Sequence, residues 1–125
     1  MEQATRAELT ALRRLLHDRR EVLLTEIHAA EPAERIDGAV QEVVSHADQS
    51  VQQQGDELAD AQLQRDLDEL RSVQAALQRV DGTGYGECTD CGADIPSQRL
   101  LAQPAAERCA VCQSAFELAQ RRWRP

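Results

Sequence analysis

Four cysteines, paired as Cys88-x2-Cys91 and Cys109-x2-Cys112 with seventeen residues between the pairs, are the whole thiol content of this chain. Each CxxC pair bends the backbone so that two sulfurs point inward, and two such knuckles supply the closed tetrahedral S4 shell of a structural zinc site. Protein ligands fill all four positions. A Zn2+ held there would therefore brace the fold rather than run chemistry. Two disulfides, or a redox CxxC, are the competing readings. A disulfide framework suits a secreted chain, but charged MEQATRAEL leads straight into a helical pattern with no apolar signal-peptide core. One structural Zn2+ in a reducing, cytoplasmic compartment is the expectation.

The elements that must carry this site are helical. Leu9, Leu12, Leu16, Leu23 and Ile27 recur at steps of three, four and seven, with Leu15 and Val22 widening the stripe. Thr5-Arg6-Ala7-Glu8 fits a capping box at the start of that helix, and Pro32 followed by Asp37-Gly38 marks where it frays or stops. A second stripe, Leu63, Leu67, Leu70, Val73, Leu77 and Val80, keeps the same period up to Asp81-Gly82. Two such helices pack best on each other as an antiparallel hairpin about 40 Å long. Residues 31–56 connect them, and Val40, Val43 and Val44 make a partly helical tip reasonable. The expected fold is mainly α: an antiparallel coiled-coil hairpin over residues 1–80, then a four-cysteine finger with a short C-terminal helix over residues 81–125.

Composition narrows the chemistry. All 14 basic residues are arginine, so no lysine is available for a Schiff base or a Walker-type phosphate loop. With Tyr85, Phe116 and Trp123 as its aromatic residues, the chain is poorly stocked for a thick core, and metal or thin helix packing must contribute. No stretch approaches the ~20 apolar residues of a membrane span. Between residues 37 and 69, nine acidic residues face Arg65 alone, and the formal charge of the whole chain is −8. An acidic middle repels phosphate backbones, which disfavours direct duplex binding. It reads either as a solvated helix face or as a docking surface for a basic partner.

The segment DGTGYGECTDCGADIPSQRLLAQPAAERCAVCQ, residues 81–113, resembles the zinc finger of the DksA/TraR family of bacterial transcription regulators. The resemblance rests on Gly-Tyr-Gly-x-Cys-x-x-Cys-Gly from Gly84 to Gly92, then Ile95-Pro96, Arg99-Leu100, Ala102, Pro104 and Cys109-x-x-Cys112-Gln113. A hairpin in front and a short helix behind, about Ala110 to Arg122, match the family's layout. It implies a protein that binds bacterial RNA polymerase rather than DNA, inserts its hairpin through the secondary channel and alters the stability of promoter complexes. Because no nucleophile-base constellation or open metal position appears, a non-enzymatic protein is expected, and a monomer.

Independently of the family, Gly82, Gly84 and Gly86 can turn a long helix into a knuckle, and Gly92 permits the tight turn behind Cys91. Tyr85, Ile95, Leu100 and Leu101 read as an apolar pad around the metal. Arg99 and Arg108 are expected to pair with carbonyls or acidic neighbours. His17 and His28 read as residues of the polar edge of the first helix.

In family members active on polymerase the tip resembles Asp-x-x-Asp-x-Ala. A gapless count from the first cysteine places Ser45-His46-Ala47-Asp48-Gln49-Ser50 there, so Asp48 keeps the second acid while Ser45 and Ser50 replace the first aspartate and the alanine. Ser45-x-x-Asp48 also fits a capping box, and Gly55-Asp56-Glu57 is a second acidic candidate. Some members cooperate with the nucleotide ppGpp through basic side chains around the finger. Neutral Gln103 and Gln113 occupy those places here, which disfavours that ligand, although Arg121-Arg122-Trp123-Arg124 offers arginine and an aromatic ring together. The rival readings are a zinc- or redox-responsive switch and a protein-interaction adapter that no longer acts on polymerase.

Overall fold

A computed structural model describes residues 5–30, 33–45 and 61–123. Its helices are α1 (Arg6–Ala30), α2 (Ala33–Ser45), α3 (Ala61–Asp81), α4 (Ser97–Ala102) and α5 (Ala110–Trp123). The capping box at the start of α1 forms as expected. The Thr5 amide donates to Glu8 Oε1 at 2.8 Å, and the Glu8 amide donates to Thr5 Oγ1 at 3.1 Å. Two amides that the first turn leaves without intrahelical partners are thereby satisfied.

Helices α1 and α3 form the antiparallel hairpin. Arg13 near the start of α1 pairs with Asp81 at the end of α3 (2.9 Å), and Arg20 Nε donates to Gln74 Oε1 at 2.6 Å. Between them lies one apolar seam of Leu16, Leu23, Ile27, Leu63, Leu67, Leu70, Val73, Ala76 and Leu77. The 25 residues of α1 extend about 37 Å from the finger at 1.5 Å per residue. Among the described residues no helix is long and apolar enough to cross a membrane.

Three details differ from the sequence expectation. Asp37-Gly38 does not stop a helix: Gly38 lies inside α2. Glycine there costs helix stability, roughly 1 kcal/mol against alanine. The apolar face behind it offsets that cost, with Val43 buried in the hairpin seam and Ala39 and Val40 packed against it. Leu15 and Val22 do not widen the seam. They remain 41% and 44% exposed, because the helices packed against α1 cover only a narrow stripe of it. The acidic run is not uniformly solvated either, since Asp66 is buried and accepts a hydrogen bond from Gln62 Nε2 at 2.9 Å.

Across the hairpin, Arg19 grips Glu69 with two parallel hydrogen bonds, Nε to Oε2 at 2.6 Å and Nη2 to Oε1 at 2.7 Å. The hydrogen bond from Arg19 holds the Glu69 carboxyl below its ordinary range. A carboxyl whose pKa is lower folded than unfolded adds stability above the ordinary carboxylate range and loses it as pH falls through the folded value. Both side chains are largely exposed, so water screens the pair. Glu69→Gln is expected to cost about 0.5–1 kcal/mol at neutral pH and to converge on the parent in acid, as read from urea midpoints across that range.

Candidate metal centre

Behind α3 the chain reverses through backbone that only glycine adopts easily. Gly84, Gly86 and Gly92 have φ of 95°, 85° and 78°. The first knuckle closes with the Gly92 amide on the Cys88 carbonyl (2.9 Å) and the Cys88 amide on the Ala93 carbonyl (2.8 Å). Glu87 and Asp94 pair as an antiparallel bridge, and the Ile95 amide reaches the Gly86 carbonyl at 2.7 Å. The second knuckle leads directly into α5, where the Gln113 amide bonds the Cys109 carbonyl at 2.9 Å. A bond from the Thr89 amide to the Glu107 carbonyl (2.9 Å) ties the knuckles together.

The four sulfurs converge. Cys88, Cys91, Cys109 and Cys112 place their Sγ atoms within 4.8 Å of one another, and the Cys91 and Cys109 sulfurs stand 3.9 Å apart. A tetrahedral ion with Zn–S bonds of about 2.3 Å requires sulfur–sulfur edges of about 3.8 Å, so the donor set fits one Zn2+. Backbone amides already favour charge on one sulfur. The Cys109 amide, helped by those of Cys91 and Asp90, holds the Cys88 thiol down to about 6 despite burial. Cys112 is pushed up to about 12, chiefly by hydrogen bonding with Cys109 and Cys88. Four thiols this close cannot all ionise unaided, and a divalent cation supplies the compensating charge.

A small apolar cluster covers one side of the sulfurs, while Cys91 stays exposed. Cys88, Ile95 and Leu100 are buried with Leu12, and Tyr85, Cys109 and Cys112 pack against them. Leu12 belongs to α1, so the first helix continues past the hairpin seam to seat the finger. Tyr85 packs against both clusters, and its hydroxyl donates to the Pro104 carbonyl at 2.9 Å. Leu101, expected in this pad, is instead 51% exposed, because the single turn of α4 buries Leu100 and turns its neighbour outward. Arg99 and Arg108 pair as anticipated, with the Arg108 carbonyl and with the carboxylates of Asp90 and Glu107.

An open groove of about 1020 Å3 separates the hairpin from the base of α5, and Leu15, Val22, Leu101, Gln103, Gln113 and Phe116 are among its walls. His17 and His28 are exposed on α1. Ser45 is the last residue of α2, where its hydroxyl accepts a hydrogen bond from Gln41 Nε2 at 2.9 Å. Asp48, Ser50, His46, Gly55-Asp56-Glu57 and Arg124 lie outside the described residues, as does the Trp123 side chain. Sequence reasoning missed Leu12 as a contact of the finger and α4 altogether.

Comparison with known proteins places this geometry in context. The family profile of the prokaryotic dksA/traR C4-type zinc finger matches residues 84–118. An uncharacterized 8.2 kDa protein of Escherichia phage P2 is 39% identical over 54 residues, covering 43% of this chain and 73% of that protein. An uncharacterized protein of Aquifex aeolicus is 28% identical over 104 residues, covering 83% of this chain and 72% of that protein. The RNA polymerase-binding transcription factor DksA of Haemophilus influenzae is 26% identical over 111 residues, covering 86% of this chain and 77% of that factor.

Proposed function

Because the chain belongs to the DksA/TraR family of C4-type zinc-finger transcription regulators, we propose that it binds bacterial RNA polymerase and regulates transcription. In this reading the helical hairpin enters the polymerase secondary channel and no DNA is bound. The observation that carries the reading is a long antiparallel hairpin seated through Leu12 on a four-cysteine finger. Cys88, Cys91, Cys109 and Cys112 hold one structural Zn2+ and fix the base from which the hairpin projects. The chain works in the cytoplasm without catalysing a reaction of its own. Its formal charge of −8 suits a basic protein channel better than a phosphate backbone.

In this reading Asp48 is the polymerase-contacting acid, with Ser45 and Ser50 near it in sequence. A tip carboxylate accepts hydrogen bonds from basic or backbone donors, an interaction worth about 1.5–3 kcal/mol. Asp48→Asn is expected to weaken the effect on open-complex lifetime by about tenfold or more while leaving polymerase binding nearly intact. Ser45→Asp with Ser50→Ala should strengthen it. If Asp48 only caps a helix, asparagine caps equally well and lifetimes will not move. Promoter-complex half-lives measured beside thermal stability separate these outcomes. Unchanged half-lives in both variants would favour the adapter.

A second reading draws on Cys91, the exposed cysteine of the four and the one most open to an oxidant from solvent. Oxidation of these thiolates would release the metal and loosen the base of the hairpin, making the finger a redox-responsive switch.

A further inference from the structure

Arg108 lies outside the ligand set, yet four parts of the finger meet on it. Its backbone carbonyl accepts the Arg99 Nε hydrogen bond at 3.0 Å, which anchors the residue before Cys109 to α4. Its own Nε donates to Asp90 Oδ2 at 2.9 Å, reaching into the first knuckle between Cys88 and Cys91. Its Nη1 donates to Glu107 Oε2 at 3.1 Å. The guanidinium carbon stands 3.9 Å from the centroid of the Phe116 ring, on the second turn of α5. This side chain is only 16% exposed, whereas α5 is exposed from Ser114 to Arg122.

We infer that Arg108 is the positioning residue that couples the metal-bound knuckles to α5, so that zinc binding sets where α5 points. The coupling follows from geometry. An ion shared by all four sulfurs fixes the first knuckle relative to the second, and thereby fixes Asp90 relative to Arg108. The planar guanidinium, held edge-on by Asp90 and Glu107, then presents its face to Phe116. Helix α5 carries Cys112 in its first turn, and the stack on Phe116 about one turn later gives it a second point of attachment. Two points define a direction where one allows a swivel. Lysine keeps the charge but has neither the fork nor the flat face, so it cannot replace arginine here. What α5 presents is an exposed Val111 and Leu118 beside Arg121 and Arg122, a surface whose use by any partner depends on its orientation.

The test uses the full zinc-loaded chain and hydrogen exchange at the amides of residues 110–122, with fluorescence anisotropy of Trp123, the single tryptophan, as a second probe. In the parent, removing zinc with a chelator and restoring it should lower and recover protection of α5. Arg108→Lys should still take up one zinc and keep the protection of α1 and α3, while α5 protection falls roughly three- to tenfold, the range that a partly desolvated cation–π contact supports. Phe116→Leu leaves both knuckles untouched and should reproduce the loss in α5, with Trp123 anisotropy lowered likewise. Combining the two substitutions should add little to either alone. Parent-like protection of α5 in zinc-loaded Phe116→Leu overturns the inference even if the Arg108 variant fails to fold. So does α5 protection in the parent that is indifferent to zinc.

Discussion

Cys109→Ser is expected to abolish stoichiometric zinc and to unfold residues 82–123, while the α1–α3 hairpin keeps much of its helicity. The size of the effect follows from the linkage of metal binding to folding. A structural zinc site of this type contributes on the order of 10 kcal/mol to the module that closes around it. A hydroxyl in place of one thiolate leaves a three-sulfur set that holds Zn2+ far more weakly. Beyond the sulfurs the finger has little apolar material of its own, since Cys88, Ile95 and Leu100 are its buried side chains and Leu12 is borrowed from α1. The hairpin has a separate and larger seam, from Leu16 and Leu23 on α1 to Leu77 on α3. Metal analysis of the reduced protein should give one zinc per chain in the parent. Thiol reagents should reach all three remaining cysteines in the variant and be slow to reach the four of the parent. Ready modification of every cysteine in untreated native protein would contradict the metal assignment.

The second large effect is expected at Leu12, which is 1% exposed. Leu12→Ala removes the one α1 side chain buried in the finger's cluster and should destabilise the chain by about 2–5 kcal/mol, as for other buried leucines cut to alanine. The form of the loss matters more than its size. Because Leu12 contributes to the finger's cluster rather than to the hairpin seam, finger and hairpin should unfold as one cooperative unit in the parent and as two in the variant. Zinc affinity should fall as well, since water gains access to the Cys88 side of the site. A Leu16→Ala control, in the hairpin seam, should lower global stability similarly while leaving zinc affinity nearly unchanged. Equal zinc affinities in the two variants would mean that α1 does not seat the finger.

Local signals were the most legible in the sequence. Thr5 and Glu8 cap α1 because the partners of a capping box lie three residues apart, a local arrangement that needs no distant contact. The cysteine spacing specifies the sulfur cluster for a similar reason: each knuckle is a short-range turn, and only their meeting is long-range. Leu63, Leu67, Leu70, Val73 and Leu77 were readable from period alone.

What escaped the sequence depends on which partner covers a face. Gly38 was read as a stop, but the burial of Val43 carries α2 through it. Leu15 and Val22 have the right spacing for a wide stripe, yet among the described residues the helices packed on α1 leave that side of it uncovered. Leu12 fits the hairpin's period and nonetheless serves the finger, a distinction that periodicity cannot make. Helix α4 follows Pro96 with no side-chain cap and runs only 6 residues, too short for a periodic signal. Asp66 sits in an acidic run that reads as solvated, and the long-range packing of α3 buries it.

The central claim is that this chain acts on RNA polymerase through the secondary channel. The most direct measurement is equilibrium binding of the full zinc-loaded chain to core polymerase, repeated with the channel filled by a competing secondary-channel protein. A parallel arm uses duplex DNA alone over a salt series. The account predicts saturable polymerase binding that the competitor abolishes, with no salt-sensitive affinity for DNA. Polymerase binding that survives a filled channel, or DNA binding that falls steeply with added salt, would contradict it.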